Sequence, residues 1–246
     1  MKTANKILIA GLILLLAAVT AFLVIFRVHM QREIILPSGQ ITTVERELPP
    51  FTGIEIHGNM KVNLQAGGEH KVLITTDDNL VELIRTEVVS DVLKVHIQER
   101  IGKPTQMDIS LGFSVLETIV SQAGAELISD EFIVQKKFAV HAMGGSSVKL
   151  ALETEELTLR SHAGALVTVC GQSDILIAES LAGSTIEAEE LQTRVARIET
   201  HAGSTNKLFV TGELTVRATT GSTVIYTGNP GITRKESNTG ASITAR

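Results

Sequence analysis

Apolar and polar residues alternate singly along most of this chain, with β-branched side chains in excess, a pattern that predicts strands with one buried face. The alternation is punctuated by a glycine, mostly preceded by Ala or Thr and followed by a small residue. The segments are SQAGAELIS around Gly124, AMGGSSVKL around Gly145, SHAGALVTV around Gly164, SLAGSTIEA around Gly183, THAGSTNKL around Gly203, ATTGSTVIY around Gly221 and SNTGASITA around Gly240. Successive glycines are 21, 19, 19, 20, 18 and 19 residues apart. A near-constant period of about 19 predicts an all-β parallel β-helix, or β-solenoid, because one such unit cannot bury its own apolar face and stacked units can. Each unit divides into two strand-like pieces, such as residues 165–169 and 175–178, separated by the polar turn Gly171-Gln172-Ser173-Asp174. A glycine at one phase of every unit predicts a corner with positive φ or close backbone approach. The unit at Met143-Gly144-Gly145 carries one extra residue relative to its neighbours.

Residues 51–100 depart from the period but keep strand patterning at Ile54-Glu55-Ile56, Val62-Asn63-Leu64, Val72-Leu73-Ile74 and Leu93-Lys94-Val95-His96-Ile97. They are expected to begin the same sheet system and to cover its open end. Asp77 or Asp78 is placed to cap a short helical turn whose apolar positions are Leu80, Leu83 and Ile84.

At the other extreme, residues 7–26 hold no charge. About 20 residues at roughly 1.5 Å each match the roughly 30 Å of bilayer hydrocarbon, which predicts one N-terminal transmembrane helix ahead of the solenoid. A cleaved signal peptide is the rival, with Lys2 and Lys6 ahead of the apolar run and Val19-Thr20-Ala21 as a cleavage site, but apolar sequence continues through Phe26. Lysines 2 and 6 face Arg27 and Arg32 across the run, so charge leaves orientation a tie. A short N-terminal tail before a large domain favours the C-terminal part outside the cytoplasm. The resulting organisation is a tail at 1–6, an anchor at 7–26, a tether at 27–47 and a solenoid at 48–246.

Composition narrows the function classes. A formal charge of -5 leaves no electrostatic footprint for nucleic acid, and 3% aromatic residues with no Trp leave few stacking platforms. One cysteine, Cys170, excludes an intramolecular disulfide and a multi-thiolate zinc site; following the strand 167–169, it reads as a small core hydrophobe and not a reactive thiol. Acids recur near the polar turn, namely Glu155-Glu156, Asp174, Glu189-Glu190 and Glu213. Stacked at about 4.8 Å, some could stand at the spacing of a retaining glycosidase, but no Arg or Lys is fixed beside them and solvated turn acids that resist aggregation are the better reading. His162 and His201 share a phase two rungs apart, with Leu181 between them, roughly 10 Å and too far for one zinc ion. Ser161-His162 and Thr200-His201 are adjacent strand residues pointing to opposite faces, so they make poor nucleophile and base pairs. Gly144-Gly145 lacks the lysine of a phosphate loop, and Lys136-Lys137 reads as a solvated strand edge. No catalytic, cofactor-binding or metal residue is assigned, and no cofactor is expected.

Taken together, FTGIEIHGNMKVNLQ at residues 51–65, DDNLVELIRTEV at 77–88, the AGA and AGS repeats, and YTGNP at 226–230 resemble the GIN domain, also called the putative auto-transporter adhesin head domain. The resemblance covers residues 48–246 and implies a β-helix in a bacterial envelope protein, with no catalytic residues to carry over. The expectation is a non-catalytic protein anchored in the bacterial cytoplasmic membrane by one span, its C-terminal domain extracytoplasmic, that contacts an envelope protein or glycan as an adhesin-like scaffold. Homo-oligomers through exposed edges are a further expectation. The alternatives are an envelope-stress or signalling accessory, and a polysaccharide-active β-helix enzyme.

Overall fold

The computed structural model describes the backbone of residues 2–30 and 34–246 and the side chains of residues 11–25 and 34–246. The chain divides into two compact units, one of residues 1–36 with 99–103 and one of residues 37–98 with 104–246.

In the first unit the helix α1 spans Lys2–Met30. Its side chains over residues 11–25 are exposed, Leu14 and Ile25 among them. Among the described residues no helix is long and apolar enough to cross a membrane. This finding overturns the expected transmembrane helix at 7–26, and with it the single-pass anchor, the membrane as a partner and the placement in the cytoplasmic membrane; the side chains of residues 7–10 and 26 lie outside the described set. The same unit holds an isolated parallel bridge between Ile35 and Ile101.

The second unit is the solenoid. Its first strands are β1 (Ile41–Glu47), β2 (Gly53–His57), β3 (Lys61–Ala66), β4 (Lys71–Asp77), β5 (Ile84–Val89), β6 (Val92–Ile97), β7 (Met107–Phe113) and β8 (Thr118–Gln122). Long rungs follow as β9 (Glu126–Met143), β10 (Ser147–His162), β11 (Leu166–Leu181), β12 (Thr185–Thr200) and β13 (Thr205–Ala218), and the last turn is split into β14 (Thr223–Thr227), β15 (Ile232–Ser237) and β16 (Ser242–Ala245). All sixteen belong to one sheet system, so residues 51–100 do begin it. From β9 onward every pairing is parallel, with β10 offset from β11 by one rung, Val148 opposite Val167 and Leu157 opposite Leu176. Antiparallel pairing is confined to the opening layer, where β1 pairs β4, β4 pairs β7 and β5 pairs β6. β1 falls in the stretch expected to be a tether.

Alternation builds the core. One inward column runs Leu127, Val148, Val167, Ile186, Asn206, Val224 and Ile243 on the first arm of the rungs. On the second arm another runs Val140, Leu159, Ala178, Ile198 and Val216. Each glycine of the repeat sits at a tight corner with φ between 67° and 80°. The residue before it is left-handed as well, as at Ala163 (φ 51°) and Ala182 (φ 57°), so the corner takes two such residues in succession. Behind it, buried hydroxyls occupy the interior: Ser184 Oγ donates to the Ser161 carbonyl and accepts from the Leu181 N–H, and Ser180 Oγ donates to Thr200 Oγ1 at 2.8 Å. Small side chains beside the glycine therefore serve to satisfy backbone groups that the tight bend turns inward.

Two local expectations are corrected. Residues 171–174 do not interrupt the strand, because Gly171, Gln172 and Ser173 keep their ladder partners Leu152, Glu153 and Thr154. The rung bends there instead: the inward phase shifts between Ser173 and Leu176, both buried, and Ser173 Oγ donates to the Ile175 carbonyl at 2.9 Å. Nor does an aspartate cap the short 3-10 turn Val81–Leu83, whose N-cap is Leu80 without a side-chain bond. Asp77 is buried and turned away, accepting from Gly39 N (2.8 Å), Thr105 N (2.8 Å) and Thr105 Oγ1 (2.9 Å).

Candidate functional site

The second arm of each rung presents its outward residues on a face with no strand or helix of its own unit packed against it. Because the rungs stack in register, residues four before each repeat glycine form one column: Val120, His141, Arg160, Glu179, Glu199 and Arg217, continued by Glu236. The opening layer extends the column through Glu55 and Lys94. At about 4.8 Å between strands, such neighbours interact directly. Arg160 Nε lies 3.4 Å from Glu179 Oε2, His162 Nε2 lies 3.8 Å from Glu179 Oε1, and Lys94 Nζ lies 3.8 Å from Glu55 Oε2. Burial is the largest influence on His141 and holds its imidazole below the ordinary value; Arg160 and then His162 add to this, and Glu179 opposes it.

Two residues nearer the start of each strand, a parallel column carries shorter side chains, Thr118, Ala139, Thr158 and Ile177, before the long Arg197. The difference in length leaves a trough across the rungs. One depression of about 610 Å³ lies over Thr118, Ala139 and Thr158 and is bordered by Lys136, Lys137 and Glu156. A second, of about 230 Å³, lies over Thr158 and Ile177 between Arg160, Glu179, Arg197 and Glu199. Thr158 lines both. Ile177 is 38% exposed, so the floor offers apolar contact between polar walls.

Of the acids singled out in the sequence, Glu155 and Asp174 border one depression, while Asp174, Glu190 and Glu213 stand apart. Glu190 is opposite Cys170, Asp174 is at the bend and Glu213 is opposite Val195 on the second arm, three different columns. Basic partners do stand beside them, contrary to expectation: Asp174 with Arg194 at 3.8 Å, Glu156 with Lys137 at 3.5 Å and Glu213 with Arg234 at 3.8 Å. Each partner comes from an adjacent rung, so the pairing is invisible within any single repeat. Glu153, Glu155 and Asp174 border another depression, about 440 Å³, on the far side of the bend.

Leu181 stands opposite His162, and His201 Nδ1 lies 2.6 Å from Thr219 Oγ1. Ser161 and Thr200 are buried and inward, Ser161 Oγ donating to the Ala165 carbonyl at 3.0 Å, so neither faces its neighbouring histidine. Cys170 is half-buried. Among the described residues no cluster of three or more His, Cys, Asp or Glu could hold a metal ion. Sequence reasoning missed the column through His141, Arg160, Glu179, Glu199 and Arg217. The signal was present, since these residues share the phase four before the glycine, but the glycine itself drew the alignment.

Comparison with known proteins agrees with this architecture. None of the curated proteins compared matches the sequence. Among solved structures, a putative adhesin of Bacteroides fragilis superposes with a TM-score of 0.82 at 18% identity, covering 86% of this chain and 100% of that one. A putative adhesin of Parabacteroides merdae gives 0.68 at 14% identity, over 87% and 99%. A putative lipid binding protein of Parabacteroides distasonis gives 0.67 at 16% identity, over 87% and 100%. At these identities the likeness is one of fold. Residues 50–230 match the family described as "Putative auto-transporter adhesin, head GIN domain", and the chain belongs to that family.

Proposed function

We propose that this chain is a non-catalytic, adhesin-like β-solenoid scaffold that presents the trough and charged column of its second-arm face for contact with a protein or a glycan. The observation that carries this reading is the trough itself, which runs over successive rungs with Thr158 and Ile177 on its floor. Its walls are largely self-neutralised by cross-rung ion pairs, which suits a ligand of low net charge recognised by hydrogen bonds and shape. Support for the absence of bond chemistry comes from the turn acids: Asp174, Glu190 and Glu213 lie in three different columns, and Asp174 and Glu213 are each engaged by an arginine of the next rung. The name adhesin, carried by the family and by two of the solved relatives, is consistent with display.

The test is a pair of full-length variants. Thr158→Arg with Ile177→Lys fills the trough, and Thr168→Arg alters the first-arm face. Both are assayed on a glycan array and by crosslinking to neighbours in cells. Loss of the parent's binding in the trough variant alone is expected; equal retention in both variants overturns the assignment of the face.

A further inference from the structure

The phase two residues before each repeat glycine forms an outward column through Gln122, Met143, His162 and Leu181. In the opening layer the column continues through His57, opposite Gln122, and His96, opposite His57. The repeats thus place Met143 and Leu181 on either side of His162, whereas the opening layer sets two imidazoles on adjacent rungs. Ile56 and Val95, which precede them in sequence, are buried, so His57 and His96 both point outward. His57 is exposed and His96 half-buried. A depression of about 360 Å³ lies over the pair, bordered by Glu55, Glu87 and Lys94. Neither imidazole has a hydrogen-bond partner among the described residues, which leaves a ring nitrogen on each open to a ligand. Strands in register stand about 4.8 Å apart. Two imidazole nitrogens each about 2.0–2.1 Å from one ion lie roughly 3–4 Å from each other. Rotation about χ1 and χ2 closes that difference. The cations nearby are turned to other partners: Lys94 Nζ lies 3.8 Å from Glu55 Oε2, and Arg85, opposite His96, donates through Nε to Gln98 Oε1 at 3.1 Å. Glu55 and Glu87 balance their charge, so the depression does not repel a cation.

We propose that His57 and His96 form a two-histidine site for one divalent transition-metal ion, copper(II) ahead of nickel(II) or zinc(II), with water completing the coordination. Imidazole suits these metals, whereas magnesium and calcium take oxygen ligands, and copper(II) leads the order of affinities among the divalent ions of the first row. No third His, Cys, Asp or Glu among the described residues joins the pair, so the site is an exchangeable one on the surface and not a closed structural centre. Its ion joins β2 to β6, and through β6 the antiparallel strand β5, so loading clips the opening layer to the strand on which β8 and the solenoid follow. An ion that binds only the folded layer stabilises it.

The experiment adds copper(II) chloride below one equivalent to the full-length parent, to His57→Gln, to His96→Gln and to the double variant, with magnesium chloride as the comparison. Histidine NMR signals report paramagnetic broadening, and hydrogen exchange reports protection of β2, β5 and β6. The expected result in the parent is that His57 and His96 broaden together at the lowest copper additions, with slower exchange in those strands. Each single substitution abolishes the protection and the early broadening of the remaining imidazole as fully as the double one, and magnesium produces neither effect. Copper that broadens another histidine first overturns the proposal. So does His96 broadening in His57→Gln as strongly as in the parent, since two independent ligands are then not a chelate, or equal protection by magnesium. Melting of each variant without copper checks its fold; should one single variant fail to fold, the other is read by the same measurements with the same outcomes.

Discussion

Arg46 Nη1 donates to the Ile84 carbonyl at 2.7 Å, tying the outermost strand of one side of the opening layer to the outermost strand of the other. The same guanidinium reaches Thr86 Oγ1 at 3.2 Å and, through Nη2, the Val81 carbonyl at 2.9 Å. One side chain thus satisfies two carbonyls at the end of the solenoid and takes the place of a further rung. Removing it leaves those acceptors to find water in a half-buried site.

Arg46→Met should keep much of the aliphatic packing and lose all three hydrogen bonds. A cost of roughly 1–3 kcal/mol is expected from bonds to a charged donor. Thermal unfolding checks the loss. Hydrogen exchange should show faster opening in residues 81–86 than in β10 or β11, because the broken hydrogen bonds all belong to the cap.

The glycines of the repeat and the glycine of the bend should respond differently to alanine. At Gly164 an added Cβ meets nothing within 4 Å, so only the positive φ of 74° is penalised, by about 1–2 kcal/mol. At Gly171 φ is 109° and the Cβ would lie 2.1 Å from the Leu152 carbonyl oxygen and 2.9 Å from Phe132 Cε1. A backbone oxygen cannot swing aside as a side chain can, so Gly171→Ala should cost a further 1–3 kcal/mol or so, as overpacking does. Chemical denaturation of the two variants beside the parent measures the difference, and equal losses would refute the close approach.

How the two sites differ also shows what the sequence discloses. Period and alternation suffice for the solenoid, the corner glycines and the inward columns, because each depends on residues within a repeat. What stays hidden depends on register between repeats. Asp174 finds Arg194, and Glu156 finds Lys137, only when one rung is laid over the next. The bend at Gly171 looks like a loop because its residues are polar, yet its backbone bonds go to neighbouring rungs and its Ser173 hydroxyl turns inward. Asp77 has the residue type of a helix cap and lies just ahead of a turn, but the donors that claim its carboxylate come from Gly39 and Thr105, remote in sequence. The apolar run at the N-terminus suggests a span by its length alone, yet among the described residues no helix is both long and apolar enough to cross a membrane.

Asp77 should make the fold sensitive to acid. Burial alone would raise its pKa, but hydrogen bonds from the backbone and hydroxyl of Thr105 and from the Gly39 backbone outweigh that and hold the carboxyl below its ordinary 3.8. The unfolded chain then binds the proton more readily than the folded one. The stability contributed by the carboxylate is complete above 3.8 and is lost as pH falls through the lower value of the folded state. Asp77→Asn replaces an acceptor with an amide that must face N–H donors, so its thermal midpoint at neutral pH should fall. Its further decline on acidification should be shallower than the parent's; an identical acid limb in parent and variant would show that Asp77 does not carry it.

His141 predicts a second pH dependence, at milder acidity and on the proposed contact face. The groups facing it are Val120 on β8, Arg160 and His162 on β10, and Glu179 on β11. Burial, Arg160 and His162 each disfavour the imidazolium, and Glu179, engaged by Arg160 at 3.4 Å, restores only part of the loss. With its pKa lowered in the fold, His141 is held neutral where the unfolded chain would already be protonated. Stability should therefore be full above the ordinary 6.5 and decline as pH falls from there through the folded value. His141→Gln removes the titrating group while keeping a polar side chain. The difference in stability between parent and variant should grow in the variant's favour from about pH 7 to about pH 5, the range in which an imidazole titrates. Arg160→Gln should move the His141 titration upward, since a repelling cation is removed and Glu179 is freed to attract the proton. Following the imidazole by NMR in the parent and in Arg160→Gln separates this from a general loss of structure, because unfolding would bring every histidine to a common value. A downward or absent shift at His141 would mean that the column does not couple electrostatically across its rungs.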